Sequence, residues 1–444
     1  LGKQLFSDEA GKWAALITGT SQIYFLYFFD FHTDSVLQTG VVLALWQLAA
    51  YLQQKKWSNF ILGFFGVGLS MLSKGPVGAV LPFFAVLFFL VSQKDFRQLL
   101  HPKWFLGIFI SLLIISPTLI HLYNSFGLEG IKFFFITNNF GRITGEYAGS
   151  STDYFFYFHT LLWAFLPWTI IVLYALFSTM KKWFLPEDNS KWNFYLLGSV
   201  FVLLLILSVA KGKAPNYLLI AVAPISVIAG KWLANFNSIP VKNQRMVIVL
   251  QICFTALLIV FSVFITVVFS DFSLLTTVIL ILIIVLLIFI LVKFKFQPLR
   301  KAILISMILT GMLNLFLNVK VFPGLYAYQG ARQVLKLYEK QNLLKTQLYN
   351  FELEEYGLFF YSRQPVENID NWDTLYNRMA KPGTWLYTNE IKYNDIIKMD
   401  YEIDTVYQIR QIGMNRINPG FLNPKTREQS LKPNYLIVTG GKNK

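Results

Sequence analysis

Apolar residues run along the first three quarters of the chain in long stretches that charge, glycine or proline interrupt only briefly. The window "FSLLTTVILILIIVLLIFILV" at 272–292 is almost uniformly apolar and reaches the roughly 20 residues a helix needs to cross a bilayer core. Windows of this kind predict about eleven spans, near 13–29, 36–52, 59–73, 76–92, 104–123, 154–180, 192–210, 214–234, 246–270, 273–292 and 302–320. Those at 59–73 and 76–92 are short enough to tilt or re-enter. Beyond Pro323 the pattern becomes polar and aromatic, with a helix-like "ARQVLKLYEKQ" and strand-like "TQLYNF", "GLFFYSR", "TWLYTN", "DTVYQIRQ" and "PNYLIVT". The expectation is an all-α polytopic membrane bundle over 1–322 and a small α/β domain over 323–444.

Composition agrees with that division. The 444 residues are 55% hydrophobic and 14% charged, against about 25% charged for a typical soluble domain. The single cysteine, Cys253, lies in an apolar run, so no disulfide framework or thiolate metal site is expected. The chain opens on Leu1 without a signal-peptide pattern, which reads as a fragment lacking its first span and first outer loop.

The net charge of +15 raises the question of nucleic acid, and its placement answers it. Basic residues gather in alternate short loops, at Lys55/Lys56, Lys94/Arg97/Lys103, Lys181/Lys182/Lys191, Lys242/Arg245 and Lys293/Lys295/Arg300/Lys301. This is the orientation signal of cytoplasmic loops, and it is too dispersed for a nucleic-acid stripe. The intervening loops, and with them the C-terminal domain, are then extracytoplasmic. The same charge argument puts Asp8-Glu9-Ala10 on the cytoplasmic side.

Four polar groups fall on the outer face. "FFDFHTDSVLQTG" holds Asp30, His32 and Asp34, and a carboxylate at that depth is either solvated or paired with a cation. "LSKGPVG" sets Lys74 before the helix breakers Gly75 and Pro76; the plain reading is an interfacial lysine at a helix junction. The functional reading is an anion site made by the ammonium and the next helix N-terminus. The long segment from 124 to 153 contains "KFFFI", expected as an interfacial helix beginning at Lys132. Asn138, Asn139, Arg142, Glu146, Asp153 and His159 follow it. "AKGKAPNYLLIAVAP" places Lys211 and Lys213 in an outward loop, against the orientation rule. Lys74, Arg142, Lys211 and Lys213 together suit a phosphate whose hydrocarbon tail lies in the bilayer.

In order and spacing these stretches resemble the aminoarabinose transferase and protein mannosyltransferase-like branch of the GT-C membrane glycosyltransferases. Asp34 in "TDSVLQTGVVLAL" matches the family's Asp before a "LLTFF.LAL"-like span, and Lys74 in "SKGPVG" its "TKGPV". Asn139 and Arg142 in "FFFITNNFGRI" match "FF..EN..RF", with Asn138 in place of the Glu. Lys213, Pro215 and Tyr217 in "KAPNYLLIAVAP" match "K.P.YLLP..P". The resemblance covers roughly 1–235.

It implies a bacterial inner-membrane enzyme of GT-C fold that transfers a sugar from a polyprenyl-phosphate carrier to a lipid or protein acceptor on the outer face. Lys74, Arg142, Lys211 and Lys213 would hold the phosphate, Asn139 and Tyr217 would contact substrate, and Asp34 would support. The primary base is expected in the first outer loop, ahead of Leu1. No cofactor is certain. The His that some members link to a metal finds no match in "TGEYAGSSTD", leaving Glu146 and Asp153 as oxygen ligands for a divalent ion. Two other classes share the cationic cavity or the plan: a transporter or flippase of lipid-linked or anionic substrates, and a structural subunit displaying the outer domain. The first predicts charges at mid-membrane and pseudo-symmetric broken helices, whereas here they cluster on one face.

Overall fold

The computed structural model describes residues 1–28, 32–145, 151–183, 191–269, 297–341, 346–353, 355–399, 402–412 and 419–441, with 278, 281 and 285 between. It forms two compact units, one of residues 1–259 and 284–311, the other of residues 260–283 and 312–444.

The first unit is helical. Among the described residues, six helical stretches are long and apolar enough to cross a membrane: Thr33–Gln54, Phe96–Thr144, Lys191–Val209, Pro215–Ala234, Val241–Thr266 and Pro298–Tyr326; Val77–Ser92 and Thr169–Lys181 are shorter apolar helices. The expected count of about eleven is not reached among these residues, and the differences have local causes. The window expected at 13–29 is broken at Ser21, where extended backbone separates Asp8–Thr20 from Gln22–Tyr27. The window expected at 154–180 divides into Phe156–Ala164 and Thr169–Trp183, on either side of Pro167, which cannot donate to a helical ladder. The span at 273–292 falls almost wholly outside the described residues. Conversely, the segment expected to leave the membrane near 124 stays helical: Lys103–Lys132 bends at Gly127 (φ 61°), then continues through a π-helical turn, Phe133–Thr137, into Asn138–Thr144.

Small residues set the spacing of the helices that carry the site. A Cβ on Gly40 would lie 2.6 Å from the Ser70 nitrogen, one on Gly66 2.7 Å from the Ala44 nitrogen, and one on Gly78 2.6 Å from the Ser70 carbonyl carbon. Backbones therefore meet directly along a seam joining Thr33–Gln54, Trp57–Lys74 and Val77–Ser92, as small residues permit in lipid-embedded helices. Around the seam lies one apolar core that includes Leu37, Val41, Leu45, Leu81, Tyr195 and Leu203. Buried polar groups cross-link it: Tyr195 Oη donates to the Leu45 carbonyl at 2.8 Å, and Thr255 and Ser306 hydroxyls meet at 2.6 Å.

The second unit contains a five-stranded sheet of order β2-β1-β3-β5-β4, made by β1 (Leu348–Phe351), β2 (Glu367–Ile369), β3 (Trp385–Asn389), β4 (Glu402–Gln411) and β5 (Lys432–Gly441). β1 runs parallel to β2 and β3, and β5 antiparallel to β3 and β4. "ARQVLKLYEKQ" is helical as expected, within Gly330–Gln341. "GLFFYSR", expected as a strand, is instead mostly the helix Tyr356–Tyr361. Its aromatic run mimics a β-pattern, yet only Leu358 is buried there, a burial pattern that does not alternate as a strand's would.

Candidate functional site

Asp34 stands in the first turn of the Thr33–Gln54 helix, and Lys74 ends Trp57–Lys74. Because the seam brings these helices together a few residues inward, their ends meet. Lys74 Nζ donates to Asp34 Oδ1 at 2.6 Å, with the side chains 18% and 2% exposed. Ser73 Oγ donates to the Thr33 carbonyl at 2.6 Å beside them. Gly75 adopts φ 73°, ψ −155°, a conformation that only glycine takes easily, and turns the chain into the next helix. In the following turn the amides of Gly78 and Ala79 donate back to the carbonyls of Gly75 and Pro76 at 3.1 and 3.0 Å. The charge at this corner is therefore carried by the lysine more than by free helix amides.

Two further segments close on the same corner. Asn216, in the 3-10 turn Pro215–Leu218, donates its Nδ2 to Asp34 Oδ2 at 2.9 Å. Both carboxylate oxygens are thus engaged. Tyr217 places its ring 4.5 Å from Lys74 Nζ and 5.5 Å from the Arg142 guanidinium carbon, within the range of cation–π attraction. Arg142 donates Nη1 to the Tyr217 hydroxyl and its Nε to Asn138 Oδ1 at 3.1 Å. Asn139 donates to the carbonyls of Phe134 at 3.0 Å and Phe135 at 3.4 Å, next to Gly75. Two cations and one carboxylate leave the cluster a net positive charge, in surroundings that screen it less than water would.

The remaining residues are placed differently. Lys213 turns its ammonium to the end of the Lys191–Val209 helix, donating to the carbonyls of Ser208 at 2.6 Å and Leu207 at 3.3 Å. Burial pulls its pKa below the ordinary lysine value, opposed by the charge of Asp153. Replacing Lys213 with methionine is expected to cost about 0.5–1 kcal/mol through those last carbonyls, read as a lower thermal midpoint in detergent, with Lys213→Arg retaining most of it. Lys211 is exposed; it contributes through its backbone, its N–H donating to the Ile143 carbonyl at 3.2 Å while the Gly212 N–H donates to the Arg142 carbonyl at 2.7 Å. Asp153 Oδ2 lies 2.8 Å from His159 Nε2. Asp30 and Glu146 lie outside the described residues. Among the described residues, no three His, Cys, Asp or Glu side chains gather as metal ligands.

Sequence reasoning missed Asn216. Its signal was slight: an amide between the Pro and Tyr of "KAPNYLL", with no periodicity to mark it.

The helices of the first unit thus bring four separate segments into one polar corner, and the chain is similar to known membrane sugar transferases. Residues 1–121 match the family described as dolichyl-phosphate-mannose-protein mannosyltransferase. A protein of Aquifex aeolicus is 29% identical over 207 residues, 47% of this chain and 39% of that one. The undecaprenyl phosphate-alpha-4-amino-4-deoxy-L-arabinose arabinosyl transferase of Wigglesworthia glossinidia brevipalpis is 24% identical over 233 residues, 48% of this chain and 37% of that one. The transferase of the same name from Enterobacter sp. (strain 638) is 25% identical, over 52% and 42%. These matches therefore span less than half the length of the curated relatives. The crystal structure of ArnT from Cupriavidus metallidurans bound to undecaprenyl phosphate shares the fold, with a TM-score of 0.68 at 15% identity over 98% of this chain and 80% of that one.

Proposed function

We propose that the chain is the core of a bacterial inner-membrane glycosyltransferase that moves a sugar from a polyprenyl-phosphate carrier to an acceptor, in the first instance a lipid, on the outer face. The membrane part would occupy 1–322 and an extracytoplasmic domain 323–444. One observation carries this reading: Asp34, Lys74, Arg142 and Tyr217, from four separate segments, meet at one end of the bundle.

In the transfer, an acceptor hydroxyl oxygen bonds to the anomeric carbon as the bond between that carbon and the phosphate oxygen breaks; the hydroxyl proton leaves to a general base, and the departing phosphate gains negative charge. Lys74 and Arg142 supply fixed cations where that charge grows, without reorganisation at the moment of reaction. Asp34, with both oxygens engaged, holds the lysine in place and serves as a positioning group. Tyr217 spaces the two cations, and Asn139 braces the turn beside Gly75. Lys211 and Lys213 then contribute at the rim, by field and by fixing the loop.

The test is turnover of purified full-length protein with a polyprenyl-phosphate sugar donor. Arg142→Gln is expected to lower kcat by about 10²-fold, the scale for losing one donor to developing charge. Arg142→Lys is expected to recover part of it, since the charge returns without the planar fork. Full turnover in Arg142→Gln and in Lys74→Met would remove the phosphate assignment.

A further inference from the structure

The second unit carries a surface that the transferase reading does not use. In the single helix Tyr356–Tyr361, four aromatic side chains stand in the open: Tyr356 is 76% exposed, Phe359 39%, Phe360 80% and Tyr361 68%. Only Leu358 turns inward, into the core formed with Ala331, Val334 and Leu335. A cluster of this kind on a polar domain marks a contact site rather than chance exposure.

The neighbouring helix tells what it contacts. Gly357 lies against Ala331, where an added Cβ would be 3.3 Å from the alanine Cβ, so the aromatic helix rests on Gly330–Gln341. The exposed side of that helix carries Arg332, Lys336 and Lys340, spaced four apart along one stripe. Arg363 follows the aromatics and lies 3.6 Å from Glu339, the acid on this flank. Aromatic rings bordered by a basic stripe are the signature of a headgroup layer, the rings entering the interface and the cations meeting acidic lipid. Chain length supports the same occupant. The Pro298–Phe316 helix ends only a short segment before Gly330, about 20 Å if helical throughout.

We propose that the aromatic helix 356–361 and the basic stripe Arg332, Lys336 and Lys340 seat the C-terminal domain on the surface of an anionic bilayer. The opposite face of the sheet, covered by Trp372–Met379 and Glu390–Ile396, is turned to water. This does not depend on which reaction the enzyme performs.

The experiment uses the full chain with Cys253→Ser, a nitroxide on a cysteine at either Phe360 or Ile391, in vesicles of phosphatidylglycerol and phosphatidylethanolamine. Ile391 is 73% exposed on the far side of the sheet and serves as the internal control. At 360 the label is expected to collide with oxygen and be shielded from a water-soluble nickel chelate; at 391 the reverse. Reversing Arg332, Lys336 and Lys340 to glutamate, or replacing phosphatidylglycerol with phosphatidylcholine, is expected to return the 360 label to the nickel chelate. Equal nickel access at 360 and 391 in the anionic vesicles overturns the proposal. So does shielding at 360 that persists in detergent, which would indicate a protein contact instead.

Discussion

Replacing Lys74 with alanine is expected to lower the stability of the bundle by about 3–5 kcal/mol, because it strands a buried carboxylate, and, under the proposed function, to abolish sugar transfer. Asp34 is 2% exposed on its side chain, and Lys74 lies 2.6 Å from it. Asn216 alone cannot neutralise the remaining charge. Removing both members separates the two effects. The double variant Lys74→Met/Asp34→Leu fills the space with apolar groups, and such replacements of buried pairs are often neutral or stabilising. Thermal midpoints in detergent should fall for Lys74→Ala and recover in the double variant, while turnover stays lost in both. An unchanged midpoint in Lys74→Ala would show that the pair does not stabilise the bundle.

The other large effect is steric. Gly40→Leu is expected to cost more than about 3 kcal/mol, the upper range for overpacking a close contact, since even its first carbon would stand 2.6 Å from the Ser70 nitrogen. The backbone would have to part, and Asp34 and Lys74 would part with it. The matched control is Gly311→Ala: an added Cβ there meets nothing within 4 Å, so the change should be neutral or stabilise by up to about 1 kcal/mol, the gain of Ala over Gly inside a helix. Size-exclusion recovery and thermal midpoint measure both. A Gly40→Leu protein that is recovered in full with a normal midpoint would refute the direct backbone contact.

What could be read from sequence divides along physical lines. Apolar windows reported where helices lie, because crossing a bilayer demands length and little else. They did not report the interruptions at Ser21 and between Ala164 and Thr169, which are local backbone events inside an unbroken hydropathy signal. Lys74 and Arg142 stood out as charges that the membrane plan does not require. The role of Lys213 did not, because its partners are the carbonyls of Leu207 and Ser208, and main-chain acceptors leave no trace in side-chain pattern. Asn216 was missed for another reason: its partner, the Asp34 carboxylate, lies 182 positions away, and no local pattern links the two. The helix at 356–361 was misread because exposed aromatics carry β propensity without being in a sheet.

The glycine seam has a consequence for entry. Helices in backbone contact act as a jamb: they cannot swing apart without losing their whole packing surface, so a lipid-borne phosphate has no way in between Asp34 and Lys74. The opposite border is built differently. Arg142 belongs to the short helix Asn138–Thr144, which is tied to the 211–212 loop through the amides of Gly212 and Lys211. That helix lies between Gly127 and Gly145, both at positive φ. Under the proposed function, the segment whose Arg142 grips the phosphate is therefore set between two glycine bends, while the Asp34–Lys74 border is held by direct backbone contact.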